Sequence, residues 1–294
     1  MPRLRSQAAA ALERHRQSGR QFAAGGVQSF AIDQGAGDPV VLMHGVPASS
    51  FLYRKVAPAI ADRGLRAVAF DLPGLGFAER PENYDYSWSG LGRFATDAVD
   101  ALELERFHLV VHDIGGPVGF ELAAAQPERV RSITILNTLI DVDGFKKPWV
   151  MRPFGVRGLG EAWLASMNAY SIVPLMWAVG VSGPSAVPAA ELAAYAVQLK
   201  AGDRGRAFLK IMRGFEPTVE KAQQYEAVVS REDVPVEILW GAKDPALPAK
   251  RFGEVARKLA PMANFTTVPG RHFLQEQYPL EVAARVAAAA ARAD

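Results

Sequence analysis

Val110-Val111-His112-Asp113-Ile114-Gly115-Gly116-Pro117 is the stretch on which the reading of this chain turns. It closes an apolar run, Phe107–His112, that reads as a buried strand, and it opens a helix over Pro117–Ala125 with proline in the first turn. A strand that bends sharply into a helix through Asp and two glycines lifts the carboxylate to the top of a sheet. The glycine two positions after Asp113 lets the helix pack against the strand, although Val111 stands where another glycine is usual. An Asp here can also be a plain helix cap.

Outward from this turn, strands alternate with helices. Val27–Asp33 and Pro39–His44 read as strands joined by the turn 34–38, followed by strands Arg66–Asp71, Val130–Asn137, Val236–Trp240 and Asn264–Val268. Helical spacing marks Ser50–Asp62, Ser89–Leu102, Ala249–Leu259 and Pro279–Ala291. Strands that are apolar nearly throughout, each followed by a helix, indicate a parallel sheet covered on both faces. The alternation stops near Asp141 and resumes at Val236. The residues between are helical in pattern and rich in Trp, Met and Pro, so they are expected to fold over the strand ends as a cap. The expected division is a basic helix or arm over 1–25, a core over 26–140 and 231–294, and a cap over 141–230.

Composition narrows the function classes. With 294 residues, 49 % hydrophobic and 22 % charged, the chain suits one large globular domain or one domain with an insertion. Net charge is +2, and residues 1–25 carry Arg3, Arg5, Arg14, Arg16 and Arg20 against Glu13 alone. The remainder is slightly acidic, which leaves no basic face for nucleic acid. There is no cysteine, so disulfides and thiolate chemistry are excluded, and a cytoplasmic location is expected. The uncharged run Ala162–Ala190 is interrupted by Pro174, Gly180, Gly183, Pro184 and Pro188, and a membrane span is not expected. Without His-Glu-x-x-His, cysteines or a phosphate loop, the expectation is that neither a metal nor an organic cofactor is needed.

In an open parallel sheet, ligands bind beyond the carboxyl ends of the strands. Those ends carry His44-Gly45-Val46-Pro47, Asp71, Asp113, Asn137, Asp244 and His272. An Asp at the centre of the turn is ionised at neutral pH and needs no base before it attacks. It can displace a leaving group from saturated carbon and form an ester. Hydrolysis of that ester does need a base, for which His272 is the candidate, with Asp244 orienting its ring and stabilising the imidazolium. Backbone N–H groups of Val46 and Ile114 are the candidate oxyanion donors. Asp244 can alternatively form a loop turn before Pro245, and His272 a turn of its own. Asn137 is expected only as a neighbour of the site.

His44-Gly45-Val46-Pro47, Asp71-Leu72-Pro73-Gly74-Leu75-Gly76, His112-Asp113-Ile114-Gly115-Gly116, Trp240-Gly241-Ala242-Lys243-Asp244-Pro245 and His272-Phe273-Leu274-Gln275-Glu276 resemble the Asp-nucleophile branch of the α/β-hydrolases. That branch holds the haloalkane dehalogenases and the epoxide hydrolases. The last segment, and Gly205-Arg206-Ala207-Phe208-Leu209, look most like the dehalogenases. The resemblance implies the α/β-hydrolase fold: a mostly parallel, doubly wound sheet with a helical cap inserted after the sixth strand. It implies a small apolar substrate and water as reactants, and carbon–halogen hydrolysis, with epoxide hydrolysis the alternative. Dehalogenases usually hold the halide with Trp or Asn side chains, whereas Val46 and Ile114 occupy the matching loop positions and have no side-chain donor. The cap indoles of Trp149, Trp163 and Trp177 remain as candidate donors, and Tyr170, Tyr195 and Tyr225 as candidate acids for an epoxide. Trp163, Tyr170, Trp177, Met212 and Phe215 are expected to line the substrate pocket, the last two by resemblance.

Overall fold

The computed structural model describes residues 2–183 and 186–293; Pro184, one of the breaks expected in the uncharged run, lies outside them. Eight strands form one sheet: β1 (Gly19–Ala24), β2 (Val27–Gly35), β3 (Pro39–Met43), β4 (Arg66–Phe70), β5 (Phe107–Asp113), β6 (Val130–Thr138), β7 (Val236–Gly241) and β8 (Asn264–Val268). Their order is β1-β2-β4-β3-β5-β6-β7-β8. From β4 onward every pairing is parallel, whereas β2 runs antiparallel to both β1 and β4. The turn 34–38 therefore leads across β4 instead of closing a hairpin.

The helices are α1 (Pro2–Gln17), α2 (Val56–Ala61), α3 (Trp88–Ala101), α4 (Gly115–Ala125), α5 (Leu159–Ser166), α6 (Ile172–Val179), α7 (Ala189–Leu199), α8 (Arg206–Arg213), α9 (Val219–Val229), α10 (Glu254–Leu259), α11 (Leu274–Gln277) and α12 (Pro279–Ala290). On one face of the sheet lie α2 and α12; on the other lie α3, α4 and α9. Between β6 and β7 come α5 to α9, the helical insertion expected after the sixth strand. Because both faces are covered, β3, β5 and β7 are buried along almost their whole length, which is why they read as unbroken apolar runs.

The N-terminal 25 residues differ from the single helix or arm expected. α1 ends at Gln17, and Gly19–Ala24 forms the edge strand β1. Ala8, Ala11, Leu12 and His15 recur at helical spacing and are buried, while the arginines of this segment stay exposed. The buried stripe lies on α7, so α1 straps the sheet edge to the insertion.

The turn after β5 is built from close approaches. A Cβ on Gly115 would lie 2.5 Å from the Met43 carbonyl oxygen and 2.7 Å from that of His44, so α4 reaches the end of β3 only through glycine. Val111 is accommodated on the far side, because a Cβ on Gly119 would lie 2.7 Å from Val111 Cγ1. The glycine usual before the turn has in effect moved into the helix. Gly119→Ala should lower stability by about 1–3 kcal/mol through overpacking. Adding Val111→Ala should recover much of that loss, so chemical denaturation of the two singles and the double would show strong non-additivity. Additive losses would contradict the exchange.

Candidate active site

Asp113 is the last residue of β5, with φ 54°, a left-handed conformation that Asp tolerates better than most side chains. The Thr138 hydroxyl donates to its backbone carbonyl and ties the turn to β6. The carboxylate is held asymmetrically. Oδ1 accepts the Val46 N–H at 2.8 Å, while Oδ2 faces His272 Nε2 at 3.3 Å. Burial works against its charge. The hydrogen bond and charge of His272, the nearby His112 ring and the Ile114 N–H outweigh burial and hold the carboxyl below the usual carboxylate range.

His272 follows β8 and presents Nδ1 to Asp244 Oδ2 at 2.8 Å. Asp244, just after β7, accepts from four donors. Oδ2 takes His272 and the Asn137 side-chain amide at 2.5 Å, and Oδ1 takes the N–H groups of Ala246 at 2.7 Å and Leu247 at 3.0 Å. Its pKa is lowered although burial opposes this, because the His272 charge and these donors prevail. With an ionised acceptor, His272 Nδ1 must carry hydrogen. Burial alone would depress the imidazole. The Asp244 charge and the bonds to both carboxylates overcome that and push it up to about 10.

Two side chains missed at the sequence level complete the arrangement. Asn137, expected only nearby, bridges Asp244 and the backbone N–H of Gly241, its Oδ1 accepting at 3.0 Å. His112 is fully buried, and burial together with the His272 charge pushes it down to about 4. The ring is therefore neutral, and its Nε2–H donates to the His272 carbonyl at 2.9 Å. Its place directly before Asp113 was the signal available. Behind the site, Glu276 takes both guanidinium nitrogens of Arg54, at 2.7 and 2.8 Å, and the Tyr195 hydroxyl at 2.5 Å. The same Arg54 pairs with Glu191 of α7, so the loop bearing His272 and the insertion share one partly buried charge cluster.

A cavity opens above Asp113 and His272. Met212 and Phe215, named as pocket walls from the sequence, line it, as do the oxyanion candidates Val46 and Ile114, with Leu139, Met151, Phe154, Met176 and Phe208 among the other walls. Apart from Asp113, His272 and Lys147, every lining side chain is apolar. Trp163, Tyr170 and Trp177 do not line it. The Trp163 indole donates to the Val150 carbonyl at 3.2 Å, Tyr170 is 40 % exposed, and Trp177 points away from the face of α6 that supplies Ile172, Leu175, Met176 and Val179. The residue types suggested donors, but packing on these short helices turned other faces inward. Among the described residues no group of three or more His, Cys, Asp or Glu is disposed to hold a metal, and no helix is long and apolar enough to cross a membrane.

A family model described as the alpha/beta hydrolase fold matches residues 38–279. The chain belongs to that family. Among curated relatives of this hydrolase, a haloalkane dehalogenase of Sphingobium indicum is 32 % identical over 275 residues, spanning 87 % of this chain and 90 % of its own. Haloalkane dehalogenase 2 of Mycobacterium tuberculosis is 27 % identical over 262 residues, spanning 87 % and 88 %. Among solved structures, a haloalkane dehalogenase from Agrobacterium tumefaciens superposes with TM-score 0.77 at 23 % identity, covering 94 % of this chain and 97 % of its own. A putative epoxide hydrolase from Pseudomonas aeruginosa gives TM-score 0.78 at 21 % identity, covering 94 % and 95 %.

Chemically, the hydrolase holds one imidazole between two carboxylates, one of them facing an apolar cavity. If both carboxylates sustain the proton on His272, removing one must release it. In Asp113→Asn the His272 titration, followed by NMR of the ring nitrogens, should fall from about 10 by roughly one to three pH units. An unchanged midpoint would show that Asp113 does not act on the ring.

Proposed function

We propose that this hydrolase cleaves carbon–halogen bonds of small apolar molecules through a covalent alkyl ester on Asp113. The observation that carries the reading is the asymmetric hold on the carboxylate. Oδ1 is tied to the Val46 N–H and Oδ2 stands beside His272, in a carboxylate that lines the cavity. In the first step Oδ2 attacks the carbon bearing halogen, the carbon–halogen bond breaks, and halide departs with the electron pair. No base is needed, since the carboxylate is already ionised.

Alkylation has an electrostatic consequence for the second step. Once Asp113 is an ester its negative charge is gone, and with it part of what raised the His272 pKa. The ring then releases its proton to solvent, the one acid proton of the overall reaction, and as a neutral base takes one from the attacking water, as Asp244 steadies the imidazolium that forms. The hydroxide so generated attacks Cγ, and the charge on Oδ1 develops between the N–H groups of Val46 and Ile114. Collapse expels the alkoxide, which takes the imidazolium proton and leaves as the alcohol, and the acid left on Asp113 returns its proton to His272. The helices between β6 and β7 act as a cap that keeps bulk water off the carboxylate. The scheme uses no metal or organic cofactor.

The relatives named haloalkane dehalogenases support this substrate class. Epoxide opening would use the same attack but requires an acid for the departing oxygen. Tyr195 donates to Glu276 and Tyr225 to Glu121, while Tyr170 is exposed, and none of the three lines the cavity. These placements favour carbon–halogen cleavage. His272→Ala should spare the first step and block the second. After exposure to 1-bromobutane, intact mass spectrometry should show one butyl group on Asp113 with an equivalent of bromide released. An epoxide would instead add its full mass. Turnover by the parent enzyme without any adduct on the variant, even after rapid quench, would contradict the ester.

A further inference from the structure

A halide leaving into an apolar cavity needs a donor, because such surroundings strongly disfavour an uncompensated anion. The two loop positions beside Asp113 are Val46 and Ile114, which offer only backbone N–H groups to the carboxylate itself. The indoles of Trp163 and Trp177 do not line the cavity, and His272 is engaged by Asp113 and Asp244. One donor side chain remains among the lining residues. Lys147 belongs to the segment that leaves β6 and crosses over the strand ends, and its neighbours Phe145, Pro148 and Val150 also line the cavity.

Lys147 Nζ lies over the ring of Phe215, 4.3 Å from the centroid. Among the described residues it forms no ion pair and no hydrogen bond, and burial alone moves its pKa, downward. A half-buried ammonium without a counter-ion is costly, and the face of one phenyl ring offsets only part of that. The cost is explained if the missing partner is an anion that arrives during the reaction. Formal charge agrees: two carboxylates, an imidazolium and an ammonium sum to zero, and moving one negative charge from Asp113 to halide preserves that sum.

We propose that Lys147 Nζ is the halide donor of this site, receiving the leaving halide by N–H hydrogen bonds in place of the indole or amide side chains that the loops lack. The carbon–halogen pair of electrons goes to the halide, Asp113 Oδ2 forms the new bond to carbon, and no proton changes hands. The proposal rests on the carbon–halogen reading above.

The test uses the His272→Ala protein, in which only the first step runs, with 1-chloro-, 1-bromo- and 1-iodobutane. Adduct formation is timed by rapid quench and mass spectrometry. Adding Lys147→Met should slow it by about 100-fold or more for chloride, the scale of losing one preorganised donor. The loss should shrink toward iodide, which needs least stabilisation, and Lys147→Arg should restore much of the chloride rate. Sodium bromide should inhibit the otherwise native enzyme about tenfold more weakly once Lys147 is Met. Equal slowing of all three halides would assign Lys147 a purely structural role and overturn the proposal. Unchanged rates would overturn it too, and in both cases adducts on Asp113 leave the ester mechanism intact. No adduct from any haloalkane with Lys147 present would remove the ester reading and this proposal together.

Discussion

One imidazole buried between two carboxylates is the arrangement around which the site is organised. His272 stands 2.8 Å from Asp244 and 3.3 Å from Asp113, at the tops of strands or loops drawn from three parts of the sheet. Burial penalises each of the three charges; Asp113 and Asp244 also have donors of their own from Val46, Ile114, Asn137 and Leu247, whereas His272 keeps its proton because both carboxylates lie beside it. That dependence makes the site responsive. Neutralising one carboxylate changes the proton affinity of the ring, and the alkyl ester proposed above would neutralise Asp113.

Holding three such groups requires backbone placed within tight limits. Gly115 lets α4 meet the end of β3, and Val46 then donates to Asp113 from the loop beyond β3. Asn137 bridges β6 and β7 by touching both Asp244 and Gly241, so the acid is fixed by the sheet and not only by its own loop. On the opposite side the His272 loop is fastened to the insertion. The Phe273 N–H donates to the Gly180 carbonyl at 2.8 Å, and Glu276 shares Arg54 with Glu191. The insertion thus bears on His272 directly, as well as lining the cavity.

The strands and the three ionisable groups were legible because parallel strands write themselves as apolar runs and their ends are where side chains meet ligands. The turn around Asp113 also names its own constraint in its glycines. β1 was not legible: at a sheet edge Phe22 and Ala24 are buried, whereas Arg20 and Gln21 face solvent, so no apolar run forms. Asn137 could be placed at a strand end, but its reach to Asp244 depends on the spacing of β6 and β7. The walls of the cavity were least legible. α5 and α6 span eight residues each, too few for a periodic pattern to show which face turns inward. Aromatic type therefore favoured Trp163 and Trp177 over Met176 and Lys147.

If Asp113 is the nucleophile, the oxygen of the alcohol comes from the protein. In a single turnover with enzyme in excess in H₂¹⁸O, water attacks Cγ of the ester and Oδ2 leaves with the alkyl group. The alcohol should therefore carry the ordinary isotope, and the peptide containing Asp113 should gain one ¹⁸O. An alcohol fully labelled from solvent, with an unlabelled Asp113 peptide, would mean that water attacks the substrate directly and would contradict the account.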